Sequence, residues 1–408
     1  MISFSTFLEK RALNMFRRGL LVLDPLQVQH FDFSLNLTRQ LSGSGISSNL
    51  CFSPASVTLA LAMCYFGASG PTKLEMARKI FGGSGNDTDD GNIKQWSENL
   101  IKQASAIDDE SFRLKFANRI YLNENFELKE KYVKFLQSAF QADAVLRANF
   151  GADGPRVAER INSWVENVTN HLIKGLVSAD SINAQTVMLL INALYFKGVW
   201  EKEFYAQATK SEDFHSTTNK VVKIDMMHKT DRQSYYEDGE IQALSLSYYR
   251  SSVKAVFVLP KKKNDLKNVV DGLDGRKLLN WLKSMEPNTK VEMAIPKFRI
   301  EQSFVLNRAL KSIGLSSPFK NGADFSAMTN GNVKISDVIH KTFINLDEKG
   351  TEAAAATVIR FASLSLLTEK IPIEPKKFIA DHPFLFLIMN KDEHILFIGQ
   401  FFGNDAAN

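Results

Sequence analysis

The sequence predicts an α+β fold with large mixed sheets. Helical patterns come first, over residues 31–41, about 53–67 and 155–172, and the last of these places its apolar side chains on one stripe. Strand patterns dominate afterwards. The run 186–196 is so continuously apolar that a strand buried on both faces is expected. Helices gathered early and strands gathered late are typical of α+β proteins.

The helix over residues 53–67 is expected to begin at Ser53, since Pro54 and Ser56 are residues that favour a helix start. Further strands are predicted over residues 252–260 and 290–300. Two apolar segments near the C-terminus, PFLFLIMN and ILFIGQF, complete the set of predicted strands.

The domain organisation is expected to be simple. No repeat, low-complexity tract or long linker divides residues 28–404, so they are predicted to form a single domain. An N-terminal extension, residues 1–27, precedes this domain, and a short tail, residues 405–408, follows it.

The N-terminal extension is predicted to contain an amphipathic helix. Its apolar residues recur at helical spacing between Phe4 and Leu23, while Lys10 and Arg17 lie on the other side. The apolar stretch after Arg18 has only five residues, shorter than the core of a secretory signal. Such a helix could contact a membrane surface, act as a targeting segment or dock on the rest of the chain, and docking is the hypothesis we favour.

Composition and charge argue against several classes of function. The net charge is +5, of which +2 lies in residues 1–24, so the remainder is too weakly basic for a nucleic-acid-binding surface. No apolar run reaches the roughly 18 residues that a membrane helix needs. The seven histidines form no metal-binding motif, and there is neither a phosphate loop nor a GxSxG motif. We therefore expect no nucleic acid, membrane span, metal, cofactor or enzymatic activity.

The two cysteines, Cys51 and Cys64, are too few for a disulfide framework and are predicted to be free, buried thiols. Three N-glycosylation sequons, at Asn36, Asn86 and Asn167, favour an extracellular location. An intracellular location stays open because no clear signal peptide is present.

Residues 351–362 are the most informative segment. At period two, one face is small or apolar throughout (Thr351, Ala353, Ala355, Thr357, Ile359, Phe361), and both charges lie on the other (Glu352, Ala354, Ala356, Val358, Arg360, Ala362). No proline occurs from Lys349 to Ile371, so every amide could join a sheet. The pattern fits a loop that can become a strand, although the alanines alone would equally fit an exposed helix or a disordered loop.

Several motifs, in order along residues 28–404, resemble the serpin family. They are SNLCFSPASVTLALAMCYFGASGPT (48–72), INALYFKGVW (191–200), VIHKTFINLDEKGTEA (338–353), EKGTEAAAAT (348–357), FIADHPFLFLI (378–388) and FIGQF (397–401). The resemblance implies one domain with three β-sheets, about nine helices and an exposed reactive-centre loop, here about residues 348–377.

The resemblance also implies a mechanism. A serine protease of chymotrypsin-like fold would cleave the loop, form an acyl-enzyme through its own serine, and be trapped when the freed loop inserts into the main sheet. The chain would then supply no catalytic residue. Heparin is not predicted as an activator, since residues 89–105 contain only two lysines, Lys94 and Lys102. The protein is expected to be a monomer. The alternative is a non-inhibitory serpin that acts as a binding, carrier or chaperone protein.

By the same resemblance, three groups of residues carry this mechanism. The hinge comprises Glu348, Gly350, Thr351, Glu352, Ala353, Ala354, Ala355, Ala356 and Thr357. The shutter, a polar cluster beneath the strands that separate, comprises Ser53, Ser56, Asn192 and His340, and the breach above it comprises Trp200, Lys297 and Glu348.

The scissile bond is predicted between Leu364 and Ser365. Leu364 is the seventeenth residue counted from Glu348, the position at which the family usually places its cut, and Leu366 and Leu367 are neighbouring alternatives. A leucine there predicts chymotrypsin-, cathepsin G- or elastase-like targets. The loop before Pro383 is longer than in most relatives, and the excess lies after the predicted cut.

Overall fold

A computed structural model describes residues 24–43, 48–140, 144–351 and 374–403 of the chain. In these ranges the α+β prediction is confirmed, with nine α-helices and fifteen strands. The helices are α1 (Pro25–Ser42), α2 (Pro54–Gly67), α3 (Gly70–Met76), α4 (Asp87–Ala104), α5 (Glu130–Phe140), α6 (Phe150–Val168), α7 (Leu266–Asp271), α8 (Gly275–Lys283) and α9 (Asn307–Ser312).

Strands follow one another mainly in the second half. They are β1 (Leu50–Phe52), β2 (Phe112–Asn123), β3 (Val145–Ala148), β4 (Met188–Val199), β5 (Lys210–Thr217), β6 (Lys220–Glu237), β7 (Ile241–Ser247), β8 (Lys254–Pro260), β9 (Glu286–Pro296), β10 (Phe298–Val305), β11 (Asp337–Leu346), β12 (Gly350–Thr351), β13 (Lys376–Ile379), β14 (Phe384–Met389) and β15 (Ile395–Phe401).

Six strands form one sheet in the order β10–β11–β12–β4–β2–β3, with β4 at its centre. Every residue of β4 is buried, as its apolar sequence predicts. The other nine strands form a network in which β6 is shared. The last four residues of β6, 234–237, pair with β7, while its earlier residues and Tyr235 pair with β5 or β9. The nine strands thus form one connected network with two arms that meet along β6.

Helix α2 is buried between the sheets. Ser53 caps it by accepting a hydrogen bond from the Ser56 backbone N–H, 3.1 Å, and Pro54 occupies its first turn. Of its residues only Phe66 is partly exposed. Cys64, in this helix, and Cys51, in β1, are free and fully buried, which confirms the prediction for both thiols.

Two predicted boundaries were wrong. The helix predicted over residues 155–172 begins earlier, at Phe150, and also ends earlier, at Val168. Its C-terminal end is set by Asn170 and His171, which adopt positive φ angles. The strand predicted over residues 290–300 is interrupted at Lys297, and its two parts, β9 and β10, belong to different sheets.

The N-terminal extension meets the domain inside α1. Asp24 caps this helix and Pro25 is its first residue, so the last three residues of the predicted extension belong to α1. The helix predicted between Phe4 and Leu23 and the tail 405–408 lie outside the described residues. None of the helices that the structure describes is long and apolar enough to cross a membrane.

Candidate functional site

The candidate site lies where two central strands of the six-stranded sheet part. Residues 337–342 of β11 pair in parallel with residues 189–194 of β4. Above this stretch the short strand β12 lies between them, with Thr351 opposite Leu346 of β11 and also opposite Gly198 of β4. Thr351, the first residue of the segment singled out in the sequence, thus lies at the upper end of the sheet between two of its central strands.

Glycine is required at position 350 because the backbone of β4 lies very close to its Cα. A Cβ atom at this position would lie 2.0 Å from the carbonyl oxygen of Gly198 and 2.8 Å from the Cα of Val199. No side chain can be accommodated at these distances without moving the backbone of β4. The glycine therefore allows the chain to enter the sheet, a reason distinct from backbone freedom alone.

Thr351 is 1% exposed and lies against an aromatic cluster. Its Oγ1 is 2.6 Å from the hydroxyl of Tyr248. The Tyr248 ring stacks on Trp200, with centroids 4.5 Å apart, and the edge of Phe196 packs against it at 4.9 Å. Burial raises the pKa of Tyr248, so its hydroxyl stays protonated and can serve as the donor. Tyr248 was missed at the sequence level, where nothing distinguishes it from the adjacent Tyr249.

Trp200 fixes the turn that leads into β12. Its indole Nε1 donates to the carbonyl of Asp347, 3.0 Å, and its backbone N–H donates to the carbonyl of Lys349, 2.8 Å. The Asp347 carboxylate accepts from the backbone N–H groups of Lys349, 2.9 Å, and Gly350, 3.2 Å. Burial raises the pKa of Asp347 despite these bonds.

Glu348 is held at the start of the loop by three contacts. Lys297 Nζ lies 3.0 Å from Oε2, the Thr209 hydroxyl donates to Oε1 at 2.7 Å, and the Phe204 backbone N–H donates to the Glu348 carbonyl at 2.9 Å. Burial alone would raise the pKa of this carboxyl, but the bonds from Thr209 and Lys297 outweigh it and keep the pKa below its usual value. The structure thus brings Trp200, Lys297 and Glu348 together around one turn.

The other predicted cluster lies under the β4–β11 pair. Ser53, Ser56, Asn192 and His340 are each fully buried. The Ser53 backbone N–H donates to His340 Nε2 at 2.9 Å, which makes Nε2 the acceptor and leaves the proton on Nδ1. Nδ1 faces the Asn192 carbonyl at 3.3 Å. Burial lowers the pKa of His340 to about 3, against a smaller opposing effect of this last bond, so the ring is neutral at physiological pH.

Hydrogen bonds from this cluster cross the strand pair. The Asn192 side-chain amide of β4 donates to the Ile339 carbonyl of β11 at 3.0 Å. Its Oδ1 accepts no hydrogen bond from any residue that the structure describes. The Ser56 hydroxyl donates to Asn118 Oδ1 of β2 at 2.8 Å. Asn118 was not foreseen, because nothing in the β2 sequence marks it as a partner of a helix start.

The hinge residues from Glu352 to Thr357 and the predicted scissile pair, Leu364 and Ser365, lie outside the described residues. In the described part of the chain no three His, Cys, Asp or Glu side chains are placed to hold a metal ion.

Comparison with known proteins gives a consistent result. The family model described as "Serpin (serine protease inhibitor)" matches residues 29–403. The curated protein Ipis-1 from Ixodes persulcatus is 34% identical over 376 residues, which cover 90% of this chain and 96% of Ipis-1.

Two solved structures illustrate the fold similarity. Serpin48 from the insect Tenebrio molitor, described as a highly specific serpin, has a TM-score of 0.79 and 28% identity, covering 93% of this chain and 98% of its own. Human thyroxine-binding globulin, solved in complex with thyroxine, has a TM-score of 0.81 and 26% identity, with the same coverage of the two chains.

Proposed function

This chain belongs to the serpin family, and on that premise we propose that it inhibits serine proteases of chymotrypsin-like fold as a suicide substrate. Serpins are mostly protease inhibitors rather than catalysts. The observation that carries the proposal is β12, since Thr351 already lies between β4 and β11. A loop that enters the sheet at this point can continue downward between the same two strands once it is cut.

The proposed reaction begins on the protease. Its serine attacks the loop peptide, the C-terminal part of the loop leaves as an amine, and an ester joins the protease to the N-terminal part. The freed N-terminal part then extends β12 and carries the protease with it. Inhibition succeeds when insertion is faster than hydrolysis of the ester, so small side chains at residues 353–357 favour inhibition.

Insertion requires that β4 and β11 separate, and we assign the shutter to this step. The Asn192–Ile339 bond and the His340–Asn192 contact both cross the pair and must break. The Ser53–His340 bond ties β11 to the start of α2. These buried polar contacts would let the strands pair in the resting state and still part without exposing a continuous apolar surface.

The breach is assigned to the start of insertion. Trp200 and Lys297 hold the residues just before Gly350, so that the loop begins from a fixed position above the gap. We expect that disturbing these contacts changes how fast insertion begins rather than whether the loop is cleaved.

The cut is proposed between Leu364 and Ser365, with a protease of apolar specificity as the target. Mass spectrometry of the peptide released on complex formation tests this assignment. A fragment that begins at Ser365 is expected. A fragment that begins at Phe361 or Ile371, together with a stable complex, would mean a cut after Arg360 or Lys370 and would overturn both the site and the specificity.

The inhibitory function is tested by incubating the protein with chymotrypsin, cathepsin G, elastase and trypsin and then separating the products on a denaturing gel. A band that resists denaturation at the summed mass is expected with at least one of the first three. The same protease with its catalytic serine replaced by alanine should give no such band. Cleavage without any covalent complex would instead support a non-inhibitory binding, carrier or chaperone serpin.

We also propose that residues 28–404 form one monomeric domain that is secreted. The three sequon asparagines, Asn36, Asn86 and Asn167, all have exposed side chains, which supports glycan attachment. Expression in a secretory host followed by digestion with an N-glycosidase should lower the apparent mass of the secreted protein. Protein that stays inside the cell without glycans would contradict an extracellular location.

A further inference from the structure

A groove of about 410 Å³ lies where α1, α4 and the turn between β14 and β15 meet. Trp96, which is 7% exposed, contributes apolar surface to it together with Leu26 and His394. Asp24 and Asp392, both exposed, lie along its rim. The groove therefore combines an aromatic floor with acidic edges.

We propose that residues 4–23 of this chain dock in the groove as an amphipathic helix. The segment leaves the domain at the groove itself, since Asp24 is one of the residues that line it. Asp24 has an extended backbone, φ −60° and ψ 120°, and precedes Pro25. Because a residue before proline disfavours the helical conformation, α1 begins after Asp24.

The charges of the two partners are complementary. The segment carries Lys10, Arg11, Arg17 and Arg18 against Glu9. On the other side, the two charged residues that line the groove, Asp24 and Asp392, are both acidic. The attraction between exposed charges of opposite sign places the basic face of the segment along the rim.

The apolar side of the segment matches the floor of the groove. The ring of Trp96 packs against those of His30 and His394, with centroids 5.5 and 5.4 Å away, and Leu26 also lines the groove. The apolar residues of the segment would cover the part of this surface that faces the groove.

Length and tethering also fit. A helix over residues 4–23 would be about 30 Å long, close to the roughly 27 Å of the 18-residue helix α4. Because the segment is joined to Asp24, docking is intramolecular, and an effective concentration of about 1 mM makes even a weak contact sufficient.

The test uses hydrogen–deuterium exchange on the full chain. The paired change Arg17→Glu and Arg18→Glu should speed exchange of the amides in residues 92–99 and 390–395 by about tenfold. Asp392→Lys should do the same. Combining all three changes should restore much of the protection, since the charge pairs are then reversed. Glu127→Lys, an exposed acid outside the groove, is the matched control and should have no effect there.

Three results would overturn the proposal. The first is unchanged exchange in the Arg17 and Arg18 variant, with thermal unfolding showing that the variant is folded. The second is protection that depends on protein concentration, which would mean that the segment of another copy fills the groove. The third is that the full chain binds phosphatidylserine vesicles through residues 4–23, while the amides of the groove exchange equally fast in the wild type and the variant. None of these readouts depends on protease inhibition.

Discussion

At the scale of single residues, the loop enters the sheet at Thr351. Its side chain is small enough for a buried position, and its hydroxyl has a partner there in Tyr248. An apolar residue of the same size would leave the Tyr248 hydroxyl without this partner. A charged residue would be buried against the aromatic cluster of Tyr248, Trp200 and Phe196.

Thr351→Arg is therefore expected to convert the inhibitor into a substrate. Because position 351 is already buried in the resting sheet, an arginine should keep β12 out of it. Insertion must then bury the unpaired cation at a cost of roughly 3–5 kcal/mol, which should slow insertion until hydrolysis of the acyl-enzyme wins. Denaturing gels should show cleavage at a normal rate and little covalent complex. Thr351→Ser, which keeps the hydroxyl, is the control and should retain complex formation. Undiminished complex with Thr351→Arg would count against insertion at β12.

Tyr248→Phe tests the contact that holds the hinge in the resting state. Removing the hydroxyl breaks the 2.6 Å bond to Thr351 but keeps the ring that stacks on Trp200. The free energy of unfolding, measured with urea, should fall by about 1 kcal/mol. Tyr205→Phe, at a side chain 74% exposed, should change it little. Equal stability of the two variants would mean that the Thr351–Tyr248 bond contributes nothing.

At the scale of elements, the pairing directions explain why insertion is favourable. β4 and β11 pair in parallel, whereas β12 is antiparallel to both of them. Antiparallel pairing is slightly more stable per residue than parallel pairing. A strand inserted between β4 and β11 would therefore replace one parallel ladder with two antiparallel ladders and bury additional apolar surface.

Cleavage within the loop is accordingly expected to raise the melting temperature. Calorimetry of intact and loop-cleaved protein should show a clear increase for the cleaved form, because the freed segment can complete the sheet. Cleaved Thr351→Arg should show a much smaller increase, since its insertion is blocked. If cut and intact wild-type proteins melt together, the chain does not behave as a metastable inhibitor.

At the scale of the whole molecule, three of the four buried histidines make stability fall in acid. Burial lowers the pKa of His30 and His340 to about 3 and that of His394 to about 4, from 6.5. The unfolded chain takes up protons below pH 6.5 that the folded protein excludes. The contribution of these histidines to the free energy of unfolding is therefore fully present above pH 6.5, and it is lost as the pH decreases towards the lowered pKa values.

At pH 5 each of these histidines should reduce the free energy of unfolding by about 2 kcal/mol relative to neutral pH. Glu348, whose pKa is lowered, adds to the loss at still lower pH, whereas Asp347, whose pKa is raised, partly opposes it.

His30→Gln should flatten this pH dependence. The variant lacks one side chain that is protonated in the unfolded chain and neutral in the folded protein. The free energy of unfolding, measured with urea and plotted against pH between 4 and 6, should therefore have a slope smaller by up to one proton. Glutamine keeps an acceptor for the Ile395 backbone N–H, which lies 3.3 Å from His30 Nε2. An unaltered slope in His30→Gln would show that His30 does not contribute.

The sequence alone determined those features that depend on neighbours along the chain. The continuous apolar run of β4 predicted a buried strand, and Ser53 and Pro54 marked the start of α2. The alternation of small residues after Lys349 predicted a segment able to join a sheet. Local patterns predicted the ends of elements less accurately than their presence. The left-handed Asn170 ends α6 before the predicted boundary, and the chain changes sheet at Lys297, inside the predicted strand.

Only the tertiary structure decided which distant groups meet. His340 accepts a hydrogen bond from Ser53, 287 positions away, and Thr351 meets Tyr248 across 103 positions. The resemblance to the serpin family placed His340 and Ser53 in the same cluster. Their hydrogen bond, the tautomer of the His340 ring and the contact of Tyr248 with Thr351 follow only from the packing of α2 and the sheets. Buried polar groups must find partners wherever the fold provides them, and periodicity along the chain carries no information about those partners.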